Sequence, residues 1–150
     1  MQIEKELKQT EFRNEYHKLT VNFLFSYNWM LEKIRKVMEK EDITVQQYNI
    51  LRILERSPSA LSTLQIRERM LDRMSDTSRI VERLVLKGMV DKKPCHYDRR
   101  LVDVTLSDKG KELLLRMNEC NDELDSIFSN LTTEEAETFN RLLDKLRDRD

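Results

Sequence analysis

Residues 62 to 106, STLQIRERMLDRMSDTSRIVERLVLKGMVDKKPCHYDRRLVDVTL, decide the fold. They read as a short helix, a turn, a second helix closed by glycine, and a hairpin with a basic, polar tip. That order is a winged helix-turn-helix. On a wheel of about 3.6 residues per turn, Thr77, Ile80, Val81 and Leu84 of the segment from Ser75 to Lys87 gather on one side. Ser75, Asp76, Arg79, Glu82 and Arg83 fall on the other. Such a helix buries one side on its own domain and offers arginines and short polar groups, Ser78 among them, to a major groove, where base edges are read. The expectation is a sequence-specific DNA binder.

The local signals fill in this frame. Ser62 and Gln65 are spaced as a capping box and open the positioning helix, Thr63 to about Met70, with Leu64, Ile66 and Met70 expected beneath the second helix. The turn Leu71-Asp72-Arg73-Met74 lacks a glycine. Ser75 is the expected N-cap of the second helix, and Asp76 complements the helix dipole. Asp76 also faces the groove, where it would accept from a cytosine amino group or steer Arg79 three residues on. Gly88 suits the position after the helix, where positive φ is needed.

From Leu101 to Leu106, Val102, Val104 and Leu106 alternate with Asp103 and Thr105, which predicts a half-buried strand paired with Met89 to Lys92. Lys92, Lys93, Arg99 and Arg100 concentrate positive charge around the loop between the strands. In extended chain Asp98 and Arg100 share a face, so the carboxylate can hold that guanidinium while the wing lies over the backbone or minor groove. Arg99 points elsewhere, toward phosphate. The sequence leaves open which arginine inserts.

Thr77-Ser78-Arg79-Ile80-Val81-Glu82-Arg83-Leu84, then Lys87-Gly88-Met89-Val90, Asp98-Arg99-Arg100 and Thr105-Leu106-Ser107-Asp108-Lys109-Gly110, resembles in order and spacing the MarR family of bacterial transcriptional regulators. The flanking helical segments fit the family's length, so the resemblance covers most of the chain. It implies a dimer with two reading heads, Asp98 and Arg100 as the wing pair, and release from DNA when a small, often aromatic molecule enters a cleft between dimer helices and reading head. Phe23, Tyr27, Trp29 and Met30 are the candidate lining of that cleft.

Outward from the core stretch, Phe12, Tyr16, Leu19, Phe23, Tyr27, Met30, Ile34 and Val37 recur at steps of three or four between about Thr10 and Lys40, a long amphipathic helix. Phe25 and Trp29 lie off that stripe, so the helix is apolar on more than one side, as a dimer interface requires. Thr44 and Gln47 form a second capping box before Val45, Tyr48, Ile50, Leu51, Ile53 and Leu54, and Pro58 stops that helix. Ser107 caps a helix predicted from Asp108 to about Phe128. Thr132 and Glu135 open a last one striped by Phe139, Leu142, Leu143 and Leu146. The fold class is mainly α with a small β-hairpin wing, in a single domain: residues 10–40 and 107–148 form a helical dimerisation region, and residues 44–106 the winged helix-turn-helix.

Composition agrees with this division. The 150 residues, 39% hydrophobic, suit one domain with surface left for an interface. The net charge of -1 is unevenly spread: Arg67 to Arg100 holds ten Lys or Arg against six Asp or Glu, and Leu101 to the end seven against thirteen. A basic head on an acidic body turns one side to phosphate. No signal segment or membrane span is read, and a cytoplasmic location is expected. The two cysteines, Cys95 and Cys120, are too far apart in sequence for a paired metal motif, and neither a metal nor a cofactor is expected. Cys95, beside Lys92, Lys93 and Arg99, is the candidate for redox sensing, and Cys120 is a small residue at a helix interface.

The expected function is a homodimeric repressor on a pseudo-palindromic operator in double-stranded DNA, relieved by a small aromatic effector or an oxidant. An alternative is a helical interaction module whose winged domain docks protein. An enzyme is not expected, because the chain has no phosphate-binding glycine loop and no nucleophile with a recognisable base.

Overall fold

A computed structural model describes residues 2–8, 11–94 and 102–148 of the chain. Helix α1 (Ile3–Leu7) precedes the long α2 (Glu15–Glu39) and α3 (Val45–Glu55). Strand β1 (Leu61–Ser62), α4 (Thr63–Arg69), α5 (Thr77–Leu86), β2 (Val90–Pro94) and β3 (Val102–Leu106) form the winged unit, and α6 (Asp108–Asn118), α7 (Asn121–Ser126) and α8 (Thr133–Arg147) complete the chain. The architecture is mainly helical with a three-stranded antiparallel sheet, in the order β1-β3-β2. None of the described helices is long and apolar enough to cross a membrane.

The helix starts are set locally. Thr44 with Gln47, Ser62 with Gln65 and Thr132 with Glu135 each form the reciprocal capping box, and Ser107 Oγ accepts from the Gly110 amide. Asn14 caps α2, which therefore begins several residues later than the apolar stripe implies. The predicted helix from Asp108 to Phe128 is corrected to two, because the backbone turns at Glu119 and Cys120 while the apolar spacing runs on through the break. Gly88 has φ +70°, as its place after α5 requires.

One core joins the winged unit to the ends of α2 and α6. Ile50 and Leu51 of α3, Ile66 of α4, Val81 and Leu84 of α5, Val104 of β3, and Leu113, Leu114 and Met117 of α6 are all buried, together with Val37 and Met38 of α2. Val104, the centre of the predicted alternating strand, is fully enclosed, with Lys92 its register partner on β2 and Leu61 on β1. Cys120 is half-buried against this core. Leu64 departs from expectation: it is 64% exposed, because it lies on the side of α4 turned away from Ile66.

The other half of the molecule is different. Tyr16, Leu19, Phe23, Leu24, Tyr27 and Trp29 of α2 stand exposed, as do Phe139, Leu142 and Leu146 of α8. Neither α7 nor α8 contains a buried residue.

Three ion pairs fasten the corner between α2 and α3. Lys40 pairs with Glu123 of α7, Glu41 with Arg116 of α6, and Asp42 with Lys87 at the end of α5. The hydrogen bond from Lys40 to Glu123 raises the lysine's pKa, and the bonds from Arg116 to Glu41 do the same for the arginine.

Candidate nucleic-acid interface

The site is built on α5. Thr77, Val81 and Leu84 are buried and Ile80 half-buried, which fixes the rotation of the helix on α3 and α4. The same rotation turns Ser78, Arg79, Glu82 and Arg83 outward. Among the described residues neither Arg79 nor Arg83 has a side-chain hydrogen-bond or ion-pair partner, so both guanidiniums keep their full set of donors for another molecule. Five donors in a planar fork suit the O6 and N7 edge of guanine or a phosphate.

The start of α5 corrects one expectation. Asp76, not Ser75, is the N-cap: its Oδ1 accepts from the Arg79 amide at 3.1 Å. Ser75 is half-buried, and its hydroxyl donates to the Asp72 carbonyl at 2.9 Å, closing the turn that has no glycine. Asp72 also accepts from the Met74 amide through Oδ1, a side-chain substitute for the missing glycine turn. Asp76 therefore supports the helix dipole and the first exposed amides while its second oxygen remains at the surface.

Ser75, Asp76 and Ser78 are brought together with Thr63, Leu64 and Arg67 of α4 around a cleft of about 420 Å³.

 The larger cavity, of 520 Å³, lies at the other end of α5, between Glu39, Thr44, Gln47, Arg83 and Leu86. Sequence reasoning did not single out Arg67, which lines the cleft, or Arg69 and Arg73, which are exposed on the same segment; the run of positive charge that begins at Arg67 is the signal that could have found them.

The wing's first strand carries Lys92 and Lys93, both exposed. Lys92 is ion-paired with Glu82 of α5, which ties the strand to the helix. Cys95, Asp98, Arg99 and Arg100 lie outside the described residues. The four candidate ligand residues sit along α2: Phe23, Tyr27 and Trp29 are exposed, Met30 is half-buried, and none of them lines either cavity. The Lys33 ammonium lies 4.9 Å from the centre of the Trp29 ring. Among the described residues no cluster of His, Cys, Asp or Glu could hold a metal ion.

Known proteins resemble this chain in sequence or in fold. The model of the MarR family matches residues 41–101, the span from the α2–α3 corner to the wing. The HTH-type transcriptional repressor IacR of Pseudomonas putida is 29% identical over 115 residues, which cover 75% of this chain and 68% of that protein. A mutant MarR from E. coli, solved in complex with operator DNA, superimposes with a TM-score of 0.82 at 22% identity, covering 93% of this chain and 100% of that one. The PcaV transcriptional regulator from Streptomyces coelicolor, solved with its natural ligand, gives a TM-score of 0.69 at 25% identity over 80% of this chain and 87% of that one.

Proposed function

The chain belongs to the MarR family of DNA-binding transcriptional regulators, and from that premise we propose that it is a homodimeric repressor, bound to a pseudo-palindromic operator and released by a small molecule or an oxidant. The observation that carries the reading is the division of α5: aliphatic side chains inside, Arg79 and Arg83 outside with no protein partner among the described residues. In this reading Ser78 and the two arginines meet base edges or phosphate in the major groove. Arg67, Arg69, Arg73 and Lys93 supply phosphate contacts around them, and Asp98, Arg99 and Arg100 reach the flanking backbone or minor groove.

The exposed apolar rows of α2 and α8 support the dimer. Large apolar side chains in contiguous rows are costly in water, and a second copy of the same rows removes that cost for both chains at once. Two heads would then meet half-sites about 34 Å apart. Release by a ligand is supported by the likeness to PcaV, which was solved with its natural ligand, and by the aromatic groups of α2 that dimer formation would enclose. Cys95 remains the candidate for release by an oxidant.

Selection of bound fragments from a pool of random duplexes tests the reading. Recovery of a two-fold symmetric motif, with affinity that falls steeply as salt rises, is the expected result. Recovery of no preferred sequence would overturn it and favour a winged domain that docks protein.

A further inference from the structure

We propose that Asp42 and Lys87 are positioning residues for operator binding: their pairing holds the C-terminal end of α5 at a set angle to α2. The inference rests on the DNA-binding reading above.

Lys87 is the C-cap residue of α5, and its Nζ donates both to the carbonyl of Asp42 and, at 2.9 Å, to Oδ2 of the same residue. Asp42 has φ +50°, and its carbonyl and carboxylate both accept from that one ammonium. The next bonds fasten the same end of α5 to α6. Lys109 Nζ donates to the Lys87 carbonyl at 2.8 Å, and Ser107 Oγ to the Gly88 carbonyl at 2.7 Å. The residues before Asp42 complete the joint, with Glu41 accepting two bonds from Arg116 at 3.0 and 2.8 Å and Lys40 pairing with Glu123. Three consecutive residues thus reach three different helices.

The pairing spans a gap. Between the end of α2, the start of α3 and the end of α5 lies the 520 Å³ cavity, with Arg83 on one wall and Glu39 on another. The buried Val81 and Leu84 set the rotation of α5 farther along the helix, and the polar bonds across the opening add a restraint at its C-terminal end. Each exposed ion pair alone contributes little, because water screens it. A set anchored on consecutive residues of one turn restrains rotation as well as distance. In a dimer built through α2, a small rotation of α5 at this joint displaces Arg79 and Arg83 and changes the separation of the two heads.

The test uses the full chain and the duplex selected from a random pool. Affinity is measured on the preferred sequence and on duplexes whose half-sites are moved together or apart by one and two base pairs, for the parent, Lys87→Met and Asp42→Gly. Glycine is chosen because it accepts positive φ. A pure charge effect would move the two variants in opposite directions, since one loses a positive and the other a negative charge. Positioning moves them the same way. Both should lose roughly three- to tenfold at the preferred spacing and less at the others, flattening the spacing profile. The double variant should be no worse than the weaker single one.

Far-UV circular dichroism confirms that each variant is folded, and if one is not, the flattening of the other's spacing profile, which loss of a charge alone does not produce, decides. Unchanged spacing profiles, or shifts of opposite sign, would overturn the inference and leave DNA binding intact. A parent chain that selects no sequence would overturn both.

Discussion

Glu82 on α5 and Lys92 on the wing strand β2 are ion-paired, so a lysine expected on phosphate is engaged by its own protein. This pairing has a salt signature. In Glu82→Gln the ammonium is released and a negative charge on the proposed DNA-binding face is removed. Affinity for random duplex should rise, and the slope of log K against log salt should steepen by about 0.9 per added phosphate contact. Lys92→Met should leave the parent's slope nearly unchanged. Fluorescence anisotropy across a salt series reads both. A flatter slope in Lys92→Met would mean that Lys92 leaves Glu82 for phosphate on binding.

Arg79→Ala and Arg83→Ala should each weaken operator binding by about 1–3 kcal/mol if the guanidinium reads a base. Both side chains are exposed, so the unfolding midpoint should change little. Gel shifts on operator and random duplex, with circular dichroism of the free proteins, check the two halves of this expectation. Unchanged affinity in both variants at moderate salt would refute the assignment of this face to DNA.

Phe139→Glu should separate the subunits. Phe139 is 46% exposed in one chain and lies in the apolar row of α8. Full burial of an aromatic side chain contributes about 1.5–3 kcal/mol, about half of that remains to be gained here, and the two-fold arrangement counts it twice, so dissociation of the proposed dimer should rise roughly ten- to a hundredfold. Sedimentation velocity at several concentrations measures this. A dimer that persists undiminished would place the interface elsewhere.

Gly110→Ala should destabilise the fold by roughly 1–3 kcal/mol. A Cβ at Gly110 would stand 2.3 Å from the Met89 carbonyl oxygen and 2.8 Å from Leu106 Cδ1, so α6 would have to withdraw from the start of the wing. Urea denaturation followed by far-UV circular dichroism gives the shift in midpoint. An unchanged midpoint would show that α6 can move at no cost.

What was legible in the sequence was local. The three capping boxes join residues three apart, and the division of α5 repeats within two turns, so both could be read without knowing the fold. The choice of Asp76 over Ser75 as cap was not: both precede the helix and both side chains can accept from a backbone amide. Apolar spacing also concealed the break between α6 and α7, because Leu124 and Ile127 continue the stripe beyond it. The pairs at the α2–α3 corner join residues 45 to 83 apart, and nothing local marks Lys40 as a partner of Glu123. Lys92 was assigned by its charge alone, and its partner on α5 became apparent only with the strand in place.

Helix α8 encloses none of its own side chains within one subunit. In the proposed dimer its apolar row is covered only after two chains meet, so the amount of protein made governs how much of it is competent. At copy numbers below the dissociation constant of the pair, competent protein grows with the square of the chain concentration. A modest change in synthesis would then produce a disproportionate change in operator occupancy, giving the gene under its control a dosage threshold.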